Sequence, residues 1–369
     1  MFIKKIIGKE MKIGILTFHR AHNYGAVLQC YALQEILKGM GHDVRVIDYR
    51  QPWIEEFYKI LSFKMLRRRM SSLSSVVEYL RNSLKKFLWS PCRRSYFKDF
   101  RETYLDMTSE CLTSIPQDFD CYVIGSDQLW SLHCLGGEYD RVYLGEFDRP
   151  DDSILIGYAI SADVKSVQGL ESSLRDLLPS FKAISMREQK IAEIVTSCSG
   201  CECMTCMDPT LLTEASLWNP VTDSEWASRK YVLVYEVRWK KETKGLLKRK
   251  AGELANKLGP DYEVLDVSRM RYPVKDFLSM FRYASYVVTT SFHGIVFSML
   301  FETPFYAFPL WESFDLRYRE LLESVGASDR LMDPEADLEP KPIDFVPLKE
   351  ALGRMKRESL DFLKNNIER

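Results

Sequence analysis

The stretch YVVTTSFHGIVFSMLFETPFYAF, Tyr286 to Phe308, decides how the rest of the chain reads. Tyr286 to Thr290 is β-branched and aromatic, which suits a short buried strand. Ser291-Phe292-His293-Gly294 reads as a turn, Ile295 to Phe301 as an apolar helix, and Phe305 to Phe308 as the next strand after Pro304. A strand that feeds directly into a helix leaves the first helical N–H groups unpaired. With the positive end of the helix dipole they form a ready anion site. His293 and Ser291 stand at that spot, and Gly294 is expected to let a ligand approach the backbone closely. His293 could equally do no more than cap the helix. Its place at the carboxyl end of a sheet strand, where open α/β sheets bind ligands, makes it a candidate functional residue.

The same rhythm recurs upstream. Lys12 to Phe18 reads as a buried strand, Ala26 to Met40 as a helix ended by Gly41, and Asp43 to Tyr49 as a second strand, a parallel crossover. The intervening loop offers His19, Arg20, His22, Asn23 and Gly25 at the carboxyl end of the first strand. It lacks G-x-G-x-x-G and any P-loop lysine pattern, so dinucleotide or nucleoside triphosphate binding is not indicated. Two histidines without a carboxylate or cysteine pattern do not make a metal site. Cys121 to Ile124 is a further strand, followed by the small polar turn Gly125-Ser126-Asp127-Gln128, and Ala183 to Ser185 another, running into Met186-Arg187-Glu188. Arg187 could hold phosphate or carboxylate bidentately, or pair with a neighbouring acid. A second run of strands and helices starts at Lys230. The expected fold is therefore α/β with two Rossmann-like domains, residues 11–220 and 221–369, the second ending in a helix from Leu348 to Ile367.

Between these units, Trp53 to Glu102 has helical periodicity and an excess of base, with Arg67, Arg68, Arg69, Arg81, Lys85, Lys86, Arg93 and Arg94. It reads as a helical insertion in the first domain. Its charged face is either simply solvated or a surface for anionic lipid or an anionic glycan carrier. Cys198, Cys201, Cys203 and Cys206 tempt a zinc assignment. All four fall close together and run into Met207-Asp208-Pro209, so a strand using cysteine as a small apolar residue is the plainer reading, with no metal expected.

Composition narrows the function classes. The chain has 369 residues, 46% hydrophobic and 28% charged, as expected of a soluble protein of about two domains. A net charge of −1 argues against a nucleic-acid binder. No apolar run approaches the ~20 residues needed to cross a bilayer. Met1 to Glu10 lacks the features of a secretory signal. Nine cysteines in such a chain suggest reduced thiols and a cytoplasmic setting.

Five motifs occur in order: N-Y-G-A-V-L-Q-C-Y-A-L from Asn23, V-I-G-S-D-Q-L-W from Val123, S-M-R-E from Ser185, D-P-T-L-L from Asp208 and T-S-F-H-G from Thr290. Together they resemble the polysaccharide pyruvyl transferase family, over nearly everything from Met11 onward except the insertion. The resemblance implies two Rossmann-like domains in a GT-B-like arrangement, facing each other across a cleft. It implies a bacterial, cytoplasmic enzyme that moves a pyruvyl group from phosphoenolpyruvate to two hydroxyls of a saccharide or lipid-linked oligosaccharide, forming a ketal in capsule or exopolysaccharide synthesis. No cofactor beyond the donor is implied, and peripheral association with the inner membrane face is a further expectation. His293 matches the family's functional histidine and suits a general acid, because an imidazole can carry a proton near neutral pH. Arg187 matches a second functional position. Asn23, Gly25, Ser126, Asp127, Gln128, Ser291 and Gly294 fall in the remaining motif turns and become candidates for substrate binding. Ser291 departs from the pattern, since many members carry arginine there, so one donor-binding charge is either missing or supplied from elsewhere, with Arg20 and Arg317 as the candidates. Two rival readings share the fold: a GT-B glycosyltransferase using a sugar nucleotide, and a catalytically silent glycan-assembly protein.

Overall fold

Two parallel β-sheets organise the chain, each built from its own run of strand–helix units. The computed structural model describes residues 9–367 apart from 60, 63–65, 68–71, 113, 238–244 and 310–311. Arg68 and Arg69 of the basic insertion lie outside the described residues. The first sheet contains β1 (Lys12–Leu16), β2 (Asp43–Val46), β3 (Cys121–Asp127), β4 (Ile154–Ile160), β5 (Ala183–Met186) and β6 (Cys203–Thr205), in the order β2-β1-β3-β4-β5-β6. The second contains β7 (Tyr231–Tyr235), β8 (Glu263–Asp266), β9 (Tyr286–Thr289) and β10 (Phe305–Ala307), in the order β10-β9-β7-β8. Every strand pair is parallel, as the alternation of strand and helix requires. These are the two Rossmann-like folds expected.

In the first unit the helices are α1 (Tyr24–Gly39), α2 (Pro52–Tyr58), α3 (Leu73–Tyr104), α4 (Leu132–Leu135), α5 (Val164–Gln168), α6 (Glu171–Leu177) and α7 (Gln189–Ser199). The Asn23 side chain caps α1, its Oδ1 accepting from the Gly25 and Ala26 amides at 2.9 and 3.4 Å. Gly41, at φ 98°, takes the left-handed conformation that ends this helix. The insertion is helical as expected, supplying α2 and α3.

The second unit adds α8 (Leu246–Leu258), α9 (Val274–Tyr283), α10 (Phe292–Leu300), α11 (Glu312–Ser324) and α12 (Phe345–Ile367). Its core is aromatic. Phe277, Phe281 and Phe297 are fully buried, and the Phe297 ring sits 5.7 Å from Trp218 and 6.0 Å from Phe277 in edge-on contacts. Among the described residues no helix is long and apolar enough to cross a membrane.

Three expectations change. The chain divides into Met1–Thr205 with Leu363–Arg369, and Cys206–Phe362, so the division falls before residue 220 and the last turn of α12 belongs with the first unit. The reason lies in the Asp208–Leu212 turn: the Met207 amide donates to Ser359 Oγ at 3.0 Å, and Asp208 pairs with His293, both in the second unit. The cysteine segment is not one strand. Cys198 lies near the end of α7, Cys201 in the turn after it, and only Cys203 to Thr205 is extended. Among the described residues no three metal-ligating side chains are gathered.

The third change is the start of α10. The helix begins at Phe292, with Ser291 as its N-cap, so His293 and Gly294 lie inside the first turn. A Cβ on Gly294 would collide with Oγ1 of Thr289 on β9. The glycine is thus set by the contact of helix on strand, not by the ligand approach expected of it. Overpacking a site this tight costs about 1–3 kcal/mol, so Gly294→Ala should lower the denaturant midpoint by a corresponding amount. An unchanged midpoint would show that Thr289 yields freely.

Candidate functional site

The first unit gathers its candidates at the carboxyl ends of β1, β3, β4 and β5. Thr17, the residue after β1, donates its hydroxyl to the Ser126 carbonyl at 2.7 Å and accepts from Gln29 Nε2 at 2.9 Å. This joins the β1 turn, the β3 turn and α1. Ser126 follows a cis peptide and is fully buried, its Oγ donating to the Ala159 carbonyl at 3.0 Å. Arg187, only 9% exposed, directs Nη2 to that same Ser126 hydroxyl, while its backbone amide donates to Ile160 at 2.9 Å. Ser126 and Arg187 are therefore brought into direct contact across two strands. Asp127 closes the β3 turn, its carbonyl accepting from Leu129 and Ser161 at 2.8 Å each. Buried Gln128 sits beside Cys134, whose thiol donates to Oε1 at 3.6 Å. Glu188, also buried, accepts from the Ser161 hydroxyl at 2.6 Å.

Arg20 is committed elsewhere. It makes a bidentate pair with Asp48, both bonds at 2.6 Å, and His19 Nε2 meets the same carboxylate at 2.8 Å. His19 Nδ1 faces the Thr17 carbonyl at 3.0 Å. Both ring nitrogens thus face acceptors. Burial alone would raise the Asp48 carboxyl; the hydrogen bonds from His19 and Arg20 outweigh it and hold it below the usual carboxylate range. Asn23 is occupied as the α1 cap, and Gly25 lies buried in that helix's first turn.

The second unit presents a different set. Thr289, the last residue of β9, donates its hydroxyl to the Tyr235 carbonyl at 2.7 Å and accepts from the Ser291 amide at 3.0 Å. That fixes the sharp entry into α10. His293, 8% exposed, directs Nε2 to Asp208 Oδ2 at 3.3 Å, and Asp208 is almost wholly buried. Asp208 Oδ1 is held by the Thr210 amide at 2.9 Å and by the Thr210 hydroxyl. The contact is an ion-pair distance rather than a hydrogen bond, and it places a carboxylate beside the ring. No side chain caps α10. Arg317 on α11 places its guanidinium 5.9 Å from the Phe292 ring, which brings a cation to the start of α10 beside Ser291.

Sequence patterning missed two members of this edge. Asp208 was visible only as part of a motif, because nothing local links it to a histidine 85 positions later. Glu236 carried no signal at all. It follows β7, its amide donates to Ser268 Oγ at 2.8 Å, and the next amide donates to Thr290 Oγ1 at 3.3 Å. Among the described residues its Oε1 is buried without a hydrogen-bond partner. Burial, and then the nearby Asp266 carboxylate, push the Glu236 carboxyl up to about 7.

These observations define an α/β protein whose two parallel sheets each carry polar side chains at the carboxyl edge, one with an arginine and one with an imidazole–carboxylate pair. The family model for polysaccharide pyruvyl transferase matches residues 23–311, and the chain belongs to that family of transferases in polysaccharide biosynthesis. No curated protein matches it. Solved structures that it resembles include the glycosyltransferase SnogD from Streptomyces nogalater, at 11% identity over 95% of each chain and a TM-score of 0.39. The UDP-N-acetylglucosamine 2-epimerase from Rickettsia bellii is similar at 9% identity over 97% of this chain and 99% of that one, TM-score 0.41. The S. aureus MnaA–UDP co-structure is similar at 9% identity over 96% and 89%, TM-score 0.43. At these scores the likenesses carry no functional weight.

Glu236 generates a stability prediction. Its native carboxyl keeps a proton up to about pH 7, whereas the unfolded one loses it near ~4.3. Native protein thus binds more protons in that interval, and stability through this group falls as pH rises across it. Glu236→Gln should remove that fall, so the variant's denaturant midpoint gains on the wild type between pH 5 and pH 8. A constant difference between the two would show that Glu236 titrates normally.

Proposed function

We propose that the protein transfers a pyruvyl group from phosphoenolpyruvate to two hydroxyls of a saccharide acceptor, free or lipid-linked, forming a cyclic ketal in capsule or exopolysaccharide synthesis. The observation that carries this reading is the His293–Asp208 pair at the first turn of α10. Addition of the first hydroxyl to the donor's C2 requires a proton at the methylene carbon. His293 delivers that proton, and Asp208, beside Nε2, balances the ring's charge. The second hydroxyl then displaces phosphate at the same carbon. Of the two hydroxyl protons, one balances that delivered to the new methyl group and the other leaves with phosphate. The reaction as proposed needs no cofactor.

On this reading Arg187 holds an anionic group of a substrate. Its guanidinium is already oriented by Ser126 at the carboxyl edge of the first sheet. Arg317, beside Phe292, supplies positive charge near Ser291, where other members carry arginine.

Phosphate release from phosphoenolpyruvate with candidate acceptor glycans tests the proposal. Wild type should release phosphate only when an acceptor is present, and folded His293→Ala should be slower by roughly 10²–10⁴-fold. Undiminished turnover in that variant would remove His293 from the mechanism, and wild-type silence with every acceptor would favour a non-catalytic role.

Arg187 gives a separate prediction. An ammonium cannot reproduce a guanidinium fork, so Arg187→Lys should raise the Michaelis constant for phosphoenolpyruvate. Unaltered kinetics in Arg187→Ala would mark it as structural.

A further inference from the structure

The basic insertion does not simply expose its charges. Arg93, Phe97 and Arg101 are spaced four residues apart along α3 and so lie on one face. That face packs on the β1–α1 turn and α2. Arg93 Nη2 donates to the His22 carbonyl at 2.6 Å, and Arg94 Nη2 donates to the Tyr58 carbonyl at 2.8 Å. The His22 ring lies between Tyr58, at 4.4 Å, and Phe97, at 5.6 Å. Arg93 also sits over the Tyr58 ring, 5.5 Å from its centroid. Neither the solvated face nor the lipid surface expected of this stretch describes these two arginines.

Arg101 is the anomaly. It is 8% exposed, and among the described residues its Nη1 is buried with no hydrogen-bond partner, as is Arg93 Nε. Burial, and then Arg20, hold its guanidinium below the ordinary value. The acids that act on it, Asp48, Glu55 and Glu102, each meet another cation: Asp48 meets Arg20 and His19, Glu55 meets Arg50 at 3.1 Å, and Glu102 meets Lys98 at 3.7 Å. Burial, and then Arg93, Arg101 and Arg94, push His22 down to about 3, so its ring adds no charge at neutral pH. Arg93, Arg94 and Arg101 thus all act on His22, and of the three Arg101 is the buried one, with each carboxylate in its range already serving another cation. An uncompensated buried charge is strongly unfavourable.

We propose that Arg93, Arg94 and Arg101, grouped around His22 on the first unit, bind a phosphate or diphosphate group. Guanidinium forks suit phosphate oxygens, and a dianion or diphosphate matches a threefold positive excess better than one carboxylate does. Neutral His22 adds a ring nitrogen that can donate or accept. Such a group could come from a soluble phosphate compound or from the head of a diphosphate-linked lipid carrier. The site does not depend on phosphoenolpyruvate being the donor, nor on His293.

Calorimetric titration of the whole chain with inorganic pyrophosphate, and separately with farnesyl diphosphate, tests it. Wild type should bind saturably, and Arg101→Gln should bind about 10- to 100-fold more weakly, the scale of a lost charge-assisted bond. Without ligand, Arg101→Gln should melt at or above the wild-type temperature, since it removes an uncompensated charge; a merely structural arginine would give a lower midpoint. Tighter binding of farnesyl diphosphate than of pyrophosphate assigns the site to a lipid-linked carrier, and equal binding to a soluble phosphate. His293→Ala should retain wild-type affinity, which separates failure of this site from failure of the pyruvyl-transfer reading. Should Arg101→Gln not fold, Arg93→Gln carries the comparison. Absence of saturable binding, or full affinity in the folded variants, overturns the proposal.

Discussion

The hydroxyl of Thr289 is the constraint on which the second unit's edge depends. It donates to the Tyr235 carbonyl on the neighbouring strand, accepts from the Ser291 amide, and leaves no room for a side chain at Gly294. One oxygen therefore ties β9 to β7, starts α10, and fixes how closely that helix lies against its strand. The direction of His293 follows, because it occupies the second position of that helix. The first unit uses the same device. Thr17, just beyond β1, bonds the Ser126 carbonyl beyond β3's midpoint and receives the Gln29 amide from α1. In each unit a buried hydroxyl at a strand end replaces ladder bonds that the chain can no longer make where it leaves the sheet.

Charge at these edges is governed by burial and by who shares each group. Arg20 and His19 both serve Asp48, so that cluster is electrostatically closed and resembles a structural clamp. Asp208 has a different balance. Thr210 satisfies one of its oxygens, and the other faces His293 at ion-pair distance. Glu236 is pushed up by burial and then by the Asp266 carboxylate, and keeps its proton to higher pH as a result. Identical residue types thus take opposite protonation behaviour from their neighbours alone.

Periodicity exposed the elements that repeat: the β1–α1–β2 crossover, the Tyr286–Phe308 unit and the final helix were all legible from residue pattern. The polar positions Ser126, Arg187 and His293 were conspicuous beside apolar strands, although Ser126 lies within β3 and His293 within the first turn of α10 rather than in turns. Element starts were less so. Phe292 belongs to α10 although Ser291–Gly294 reads as a turn, because the strand's own Thr289, not a capping side chain, organises the entry. Pairings across long separations left no trace. Nothing near Asp208 announces His293, and nothing near Arg101 announces that the acids around it serve other cations. Asn23 shows the opposite failure: a residue conspicuous in a motif that the fold uses as a helix cap.

The two sheets thereby carry different chemistry. The first unit is rich in guanidinium groups, with Arg187 held by a serine at the sheet edge and Arg93, Arg94 and Arg101 on α3. The second holds groups that exchange protons, His293 with Asp208 and the high-titrating Glu236. A guanidinium stays charged at every accessible pH and binds anions without taking part in proton transfer. Imidazole and a raised carboxyl do the reverse, changing charge near neutrality. Burial, and then the neighbouring arginines, keep His22 neutral, whereas His293 has a carboxylate beside it. Segregating fixed charge from exchangeable protons is what allows a single chain to present both.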